Sequence, residues 1–492
     1  MKKRFLPYVG VLTMALLLAV FEEDLLYTAQ EHNLFLHTPL FFEQQMVRAG
    51  GLLTWAGCYL TQYFYYPLLG AGILCLLWAF LMWLLKRTFS LADEWLTLVP
   101  IACLLLTIVT LGYWVFFVKL PGILFDATLG TIVAVLLVWL YRTLPNRFFL
   151  RPIFMVLSTC ISYPLFGFYG LWATVMMAMT SWRSSWIALL SIIAVPLVCY
   201  HTLYYETNIV NIYWTALPVF TYQGTRCAVY YLPYVFLVLS IGLMMFFPSV
   251  KKWLSAVVLT VTVICVAIFW YKDANFHHEL SMQRSIEKQA WKQVLTTSTG
   301  AKGEPTRAMC MMQNLALFRL GKAGNEILSY PNGAARPNAP FTVHTVHTIG
   351  KMLYLQYGVL NYCYRWCMED GVEYGWTVEQ LKYMAQCSLL NGEYVATQRF
   401  LNLLKKTMFH RSWAKRYEAM IQHPQLVTRD PDLVSILPLL RNDNFLTADQ
   451  SQLEMFLVEQ IVNTPGTTRE QQALANFTVR YYRHNRHQIV EK

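Results

Sequence analysis

The chain has 492 residues, of which 56% are hydrophobic and 14% charged, and its mean hydropathy is +0.38. A water-soluble globule of this size needs more charged surface, so this balance excludes an ordinary soluble enzyme and points to an integral membrane protein. The net charge of +11 does not indicate nucleic acid, because many basic residues sit in short loops between apolar runs, where topology signals are found.

The first element is Met1-Lys2-Lys3-Arg4 followed by an apolar run to Val20. It has the basic and apolar regions of a signal peptide, but acidic Glu22-Glu23-Asp24 follows where a small-residue cleavage site would stand. It therefore reads as an uncleaved signal anchor. With 4–20, further apolar stretches able to cross ~30 Å of hydrocarbon lie near 66–85, 96–117, 122–141, 149–165, 166–181, 185–204, 229–248 and 253–270, predicting nine spans. The pair between 149 and 181 can also be read as one broken hairpin. Lys2, Lys3, Arg4, Lys86, Arg87, Arg142, Arg147, Arg151, Arg183, Lys251 and Lys252 fall on one side, against only Arg48, Lys119 and Arg226 on the other. The positive-inside rule then places the N-terminus in the cytoplasm and, with an odd span count, the C-terminal region outside. In a bacterium this is an inner-membrane protein with a periplasmic domain.

The fold class expected is all-α: a polytopic transmembrane bundle over 1–270, then a soluble helical repeat domain over 271–492. Beyond Tyr271 charges become frequent and long apolar runs stop. The segment from Gly358 to Trp366 aligns with that from Gly392 to Phe400, Gly on Gly and Arg365 on Arg399, a period of 34 residues. A looser copy runs from Asn314 to Gly321. The second unit resembles a tetratricopeptide repeat, with Ala385 in the first helix, Gly392 at the turn, and Tyr394 and Leu401 in the second helix; Thr397 stands where that family usually has alanine. The resemblance implies a groove for a protein or peptide partner. An irregular helical domain with one fortuitous alignment is the alternative.

The first outer loop, 21–65, is where chemistry is most readily placed. It carries Glu22, Glu23, Asp24, Glu31 and Glu43, with His32 and His37. Asp126 and Glu206 fall at the outer ends of spans and can face the same cavity. Carboxylates near a membrane are costly unless solvated, paired or used, so such a group can act as a general base or hold a divalent cation. The alternative is that three acids simply stop the anchor and face water. The stretches 34–42 and 55–66 are too aromatic for a free loop and read as flat interfacial helices, with Gly50-Gly51 as the bend.

A long outer loop with early acids and flat helices, followed by a bundle, resembles the membrane-embedded GT-C glycosyltransferases. The segment from Gly50 to Pro67 is also similar to a family of uncharacterised bacterial multi-pass proteins. The GT-C resemblance is architectural, covers about 1–270, and includes no paired Asp-x-Asp in the loop. It implies a polyprenyl-phosphate-linked sugar donor on the outer face, and a loop acid as base: Asp24 first, then Glu23 and Glu22. Arg48 and Arg226 are candidate donor-phosphate partners, or else anchors to lipid phosphate, and Asp126 and Glu206 would line the substrate cavity. No cofactor is called for; a divalent metal is compatible. A non-catalytic scaffold whose repeats recruit envelope proteins is the competing function.

Cys58, Cys75, Cys103, Cys160, Cys199, Cys227 and Cys265 lie in or beside apolar runs and read as small hydrophobes. Cys363 and Cys367 are poorly spaced for a disulfide within one helix, and pairing of either with Cys387 or Cys310 stays open. His344 and His347 stand at helical spacing, as metal ligands or as ordinary surface or core residues.

Overall fold

The computed structural model describes residues 6–91, 95–120, 122–145, 149–180, 185–204, 207–440 and 468–484. Two compact units emerge, Met1–Tyr271 and Lys272–Lys492. Helices dominate both, as the all-α expectation requires. Strand pairing among the described residues is limited to a hairpin of β1 (Thr221–Tyr222) with antiparallel β2 (Thr225–Arg226), and one bridge between Thr306 and Ala335.

The first unit contains α1 (Leu6–Phe21), α2 (Glu23–Glu31), α3 (Pro39–Gln45), α4 (Gly51–Thr61), α5 (Pro67–Phe89), α6 (Trp95–Val109), α7 (Ile123–Thr143), α8 (Leu150–Phe166), α9 (Phe168–Thr180), α10 (Ser185–Thr202), α11 (Leu232–Phe246) and α12 (Lys252–Phe269). Helix α5 packs on α1 and α7, α7 on α9, and α8 on α9 and α10, while α6 packs against α11 and α12. Trp78, Trp114, Phe125 and Val135 are fully buried. Apolar side chains also face outward in rows: on α12, Trp253, Val257, Val261, Ile264 and Ile268 are all exposed. An apolar face of that size has no place in water.

Nine apolar segments do form helices here, but the expectation of nine spans is corrected. Among the described residues four helices are long and apolar enough to cross a membrane: Pro67–Phe89, Ile123–Thr143, Ala228–Phe246 and Lys252–Phe269. The other five apolar helices, Pro7–Phe21, Trp95–Val109, Leu150–Phe166, Phe168–Thr180 and Leu189–Thr202, are shorter. At 1.5 Å per residue, 15 residues cover only about 22 Å. The breaks have local causes. Gly167, at φ 56°, separates α8 from α9, so the two pack as a hairpin. After α6 the chain tightens at Gly112 into a 3-10 turn over Gly112–Phe116.

The second unit contains α13 (Ala274–Glu287), α14 (Trp291–Thr299), α15 (Arg307–Arg319), α16 (Ala323–Glu326), α17 (Lys351–Gln356), α18 (Leu360–Tyr374), α19 (Val378–Leu390), α20 (Tyr394–Leu404), α21 (Arg411–Gln422) and α22 (Arg469–His484). Its helices form successive pairs joined by one kind of turn. Helices α13, α15, α17 and α19 each end at a left-handed residue: Gln289 (φ 54°), Gly321 (φ 65°), Gly358 (φ 75°) and Gly392 (φ 76°). In each case the following amide bonds back five residues: Ala290 N to Ser285 O, Lys322 N to Leu317 O, Val359 N to Tyr354 O and Glu393 N to Ser388 O, at 2.8–2.9 Å. This is the Schellman cap, which satisfies helix-end carbonyls. The next helix then begins two residues after the left-handed position every time. Helix α19 starts with a capping box, in which Thr377 Oγ1 accepts from Gln380 N and Gln380 Oε1 accepts from Thr377 N. All eleven cysteines are free thiols, and Cys363, Cys367 and Cys387 are fully buried.

Candidate functional site

The loop after α1 folds onto the bundle. Thr38 caps α3 by accepting from Phe41 N. Gly50, at φ 88°, turns the chain into α4, and its amide donates to Pro164 O at 2.9 Å. The bend at Gly50-Gly51 between two short helices is therefore present, but α4 is not a free surface helix. It buries Leu53, Thr54, Gly57, Cys58 and Thr61 and packs on α7 and α8. Asn33 Nδ2 donates to Cys58 O (3.0 Å) and Gln62 Nε2 to Asn33 O (2.9 Å), tying the end of α2 to α4.

Where α4 crosses the start of α7 the backbones nearly touch. A Cβ on Gly122 would lie 2.6 Å from Cys58 N, and one on Gly57 would lie 1.8 Å from Asp126 Oδ1. Two glycines thus open the space that Asp126, in the first turn of α7, occupies. Its side chain is only 3% exposed, and neither carboxylate oxygen has a hydrogen-bond partner. Few buried polar groups in proteins are left so. Arg48 is close enough for its charge to act on Asp126; burial pushes the guanidinium below its usual value, and Asp126 works against that shift. Tyr169 and Tyr234, both buried, feel the Asp126 charge, and the Tyr169 hydroxyl also lacks a partner. One acid, one arginine and two phenols are thus gathered in the interior of the first unit.

The same loop also forms an aromatic platform. Phe35 meets His37, Phe41, Trp55 and Tyr59 at 5.0–5.5 Å between ring centroids. Trp55 stacks on Tyr59 at an interplanar angle of 8°, and the hydroxyls of Tyr59 and Tyr63 are 3.1 Å apart.

The residues singled out from the sequence separate into two places. Arg48 and Asp126 come together. Glu22, Glu23 and Asp24 sit at the α1–α2 junction, where Glu22 is buried and accepts from Trp270 Nε1 at 2.6 Å, Glu23 is exposed and Asp24 is half-buried. Arg226 is exposed on the β1–β2 hairpin, and Glu206 lies outside the described residues. Gly57, Gly122, Tyr169 and Tyr234 were not visible as site residues, because their part depends on a crossing between helices far apart in sequence. Among the described residues no group of three His, Cys, Asp or Glu side chains is arranged to hold a metal ion.

The second unit has a buried ionic cluster of its own. A π-turn over Val346–Gly350 turns His347 toward Asp370, and His347 Nδ1 lies 2.8 Å from Asp370 Oδ1. Lys351 Nζ donates to Asp370 Oδ2 (2.5 Å) and to His347 O (2.9 Å). His347, weighed as a metal ligand, is instead the partner of a carboxylate, and its ring packs edge-on against Trp366 and Tyr374.

These features define a class: an all-α protein with an apolar bundle bearing four candidate membrane spans, and a second unit of capped helix pairs. Within that class the chain belongs to a family of unknown function (DUF6057), whose model matches residues 2–468. No curated protein and no solved structure matches it.

Proposed function

We propose that this is a multi-pass protein of the bacterial inner membrane, with its N-terminus cytoplasmic and Lys272–Lys492 periplasmic, acting as a GT-C-like glycosyltransferase on a polyprenyl-phosphate-linked sugar. In this reading the shorter apolar helices also enter the bilayer beside the four long ones, and an odd total of crossings puts Lys272–Lys492 on the outer side. The observation that carries it is Asp126: a buried carboxylate, free of hydrogen bonds, within reach of the charge of Arg48. Where the Arg48 charge keeps it ionised, this carboxylate can take a proton from an acceptor hydroxyl. In this reading Arg48 meets the donor phosphate, and Glu22, Glu23 and Asp24, apart at the α1–α2 junction, are the alternative acids.

The test is transfer of a labelled sugar from a polyprenyl-phosphate donor by membranes containing the chain. Asp126→Asn should lower turnover by about a hundredfold, the loss expected of a general base, with the protein still folded in detergent. Turnover unaffected by Asp126→Asn, and by substitution of Glu22 and Asp24, would remove the enzyme reading.

A second reading, a scaffold recruiting envelope proteins, is favoured by one observation: four helix pairs closed by the same cap, two of them 34 residues apart at Gly358 and Gly392. That regularity supports tetratricopeptide-like repeats in the second unit. The two readings are compatible if the repeats bring the acceptor.

A further inference from the structure

Two neighbouring cavities at the other end of the first unit differ in character. One, of about 450 Å³, is lined by Arg142, Arg151, Thr180, Met245 and Phe246 among others. The Arg142 guanidinium lies over the Phe89 ring at 5.8 Å, and that of Arg151 over Tyr141 at 5.5 Å. Arg151 donates to Leu144 O at 3.2 Å, yet its Nε is buried with no hydrogen-bond partner. Neither arginine has a carboxylate partner among the described residues. Two guanidinium groups that line one cavity, with no carboxylate against them among the described residues, suit an anion. The other cavity, of about 560 Å³, is apolar, with Leu96, Leu243, Met244, Trp253 and Leu254 in its walls and Lys251 at its edge. Phe246, more than half exposed, lines both.

We infer that the pair forms one binding site for a phosphate-bearing lipid, with the phosphate between Arg142 and Arg151 and an acyl chain in the groove between α6, α11 and α12. The apolar half is what selects a lipid over a soluble phosphate, since a free anion leaves it empty. Arginine suits the polar half because its planar fork grips a phosphate through two bonds, and because it tolerates partial burial better than lysine. The inference requires the apolar bundle to meet lipid; it is independent of sugar transfer.

The test uses the full chain purified in detergent and native mass spectrometry, with three probes: phosphatidylglycerol, diacylglycerol with the same chains, and glycerol 3-phosphate. Phosphatidylglycerol should bind about tenfold or more tightly than either fragment. Arg142→Gln with Arg151→Gln should reduce it to the level of diacylglycerol and leave diacylglycerol itself unchanged. Arg142→Gln alone, at an exposed side chain with no hydrogen bond among the described residues, keeps the test open should loss of the Arg151 bond to Leu144 disturb folding. Equal binding of diacylglycerol and phosphatidylglycerol overturns the proposal, as does affinity unaffected by both substitutions. Glycerol 3-phosphate binding as tightly as the lipid assigns the arginines to a soluble anion and overturns the lipid site.

Discussion

Asp370 and Lys351 show how burial and pairing compete at single side chains. Burial raises the Asp370 carboxyl, but Lys351 and the hydrogen bond from His347 outweigh it and hold the group below its usual range. Burial lowers Lys351 too, and there Asp370 and Glu379 prevail, raising its ammonium above the ordinary value. The two signs bracket a pH window. The aspartate contribution is complete above its unfolded pKa of about 3.9 and is lost as pH falls through the depressed folded value. The lysine contribution is complete below about 10.4 and is lost as pH rises through the elevated one. Unfolding followed by hydrogen exchange in the second unit should therefore show a plateau between these limits and decline outside them. Asp370→Ala leaves a buried ammonium unpaired and should cost about 3–5 kcal/mol, whereas Asp370→Leu combined with Lys351→Met should cost far less. A double variant as unstable as the single one would contradict the pairing. Nothing in the sequence marked this cluster beyond His347 itself, since Asp370 lies a helix away. Asp126 was legible as a rare acid at a helix start, but the two glycines that make room for it were not.

At the scale of elements, glycine was the more readable signal. The match of Gly358 with Gly392 in the sequence reappears as two identical caps, because a left-handed residue is what ends one helix and permits another two residues on. Gln289 holds the same conformation without being glycine, so the first pair escaped notice. A Cβ at Gly392 meets no neighbour, so Gly392→Ala isolates the backbone term and should destabilise the second unit by about 1 kcal/mol, read from its thermal unfolding. The same change at Gly358 also drives a Cβ to within 2.7 Å of Leu439 O and should cost more. Hydropathy located all nine apolar helices but not their ends. The 3-10 turn after α6 interrupts the stretch 96–117 that a composition window reads as continuous, whereas the break at Gly167 falls beside the boundary already read between 149–165 and 166–181.

For the whole molecule, the boundary between apolar and polar halves was plain in composition, and the two compact units meet at Tyr271–Lys272. Orientation rests on loop charge alone, and several of the residues that set it, including Lys2, Lys3, Arg4, Arg147 and Arg183, lie outside the described residues. Reporter fusions at Lys492 should be active when exported and silent when cytoplasmic; the reverse pattern would invert the topology.

The short apolar helices have a consequence for the surrounding lipid. Four apolar helices of 18–23 residues beside five of 13–17 do not give a belt of constant height. Placed in a bilayer, such a bundle would require the hydrocarbon to thin where short helices are exposed, at a cost of a fraction of a kcal/mol per Å. Reconstituted protein should thus be more resistant to thermal unfolding in bilayers of shorter acyl chains than in longer ones. On the inner-membrane proposal the same mismatch becomes a local thinning, which would lower the barrier for a polar headgroup to approach the middle of the membrane.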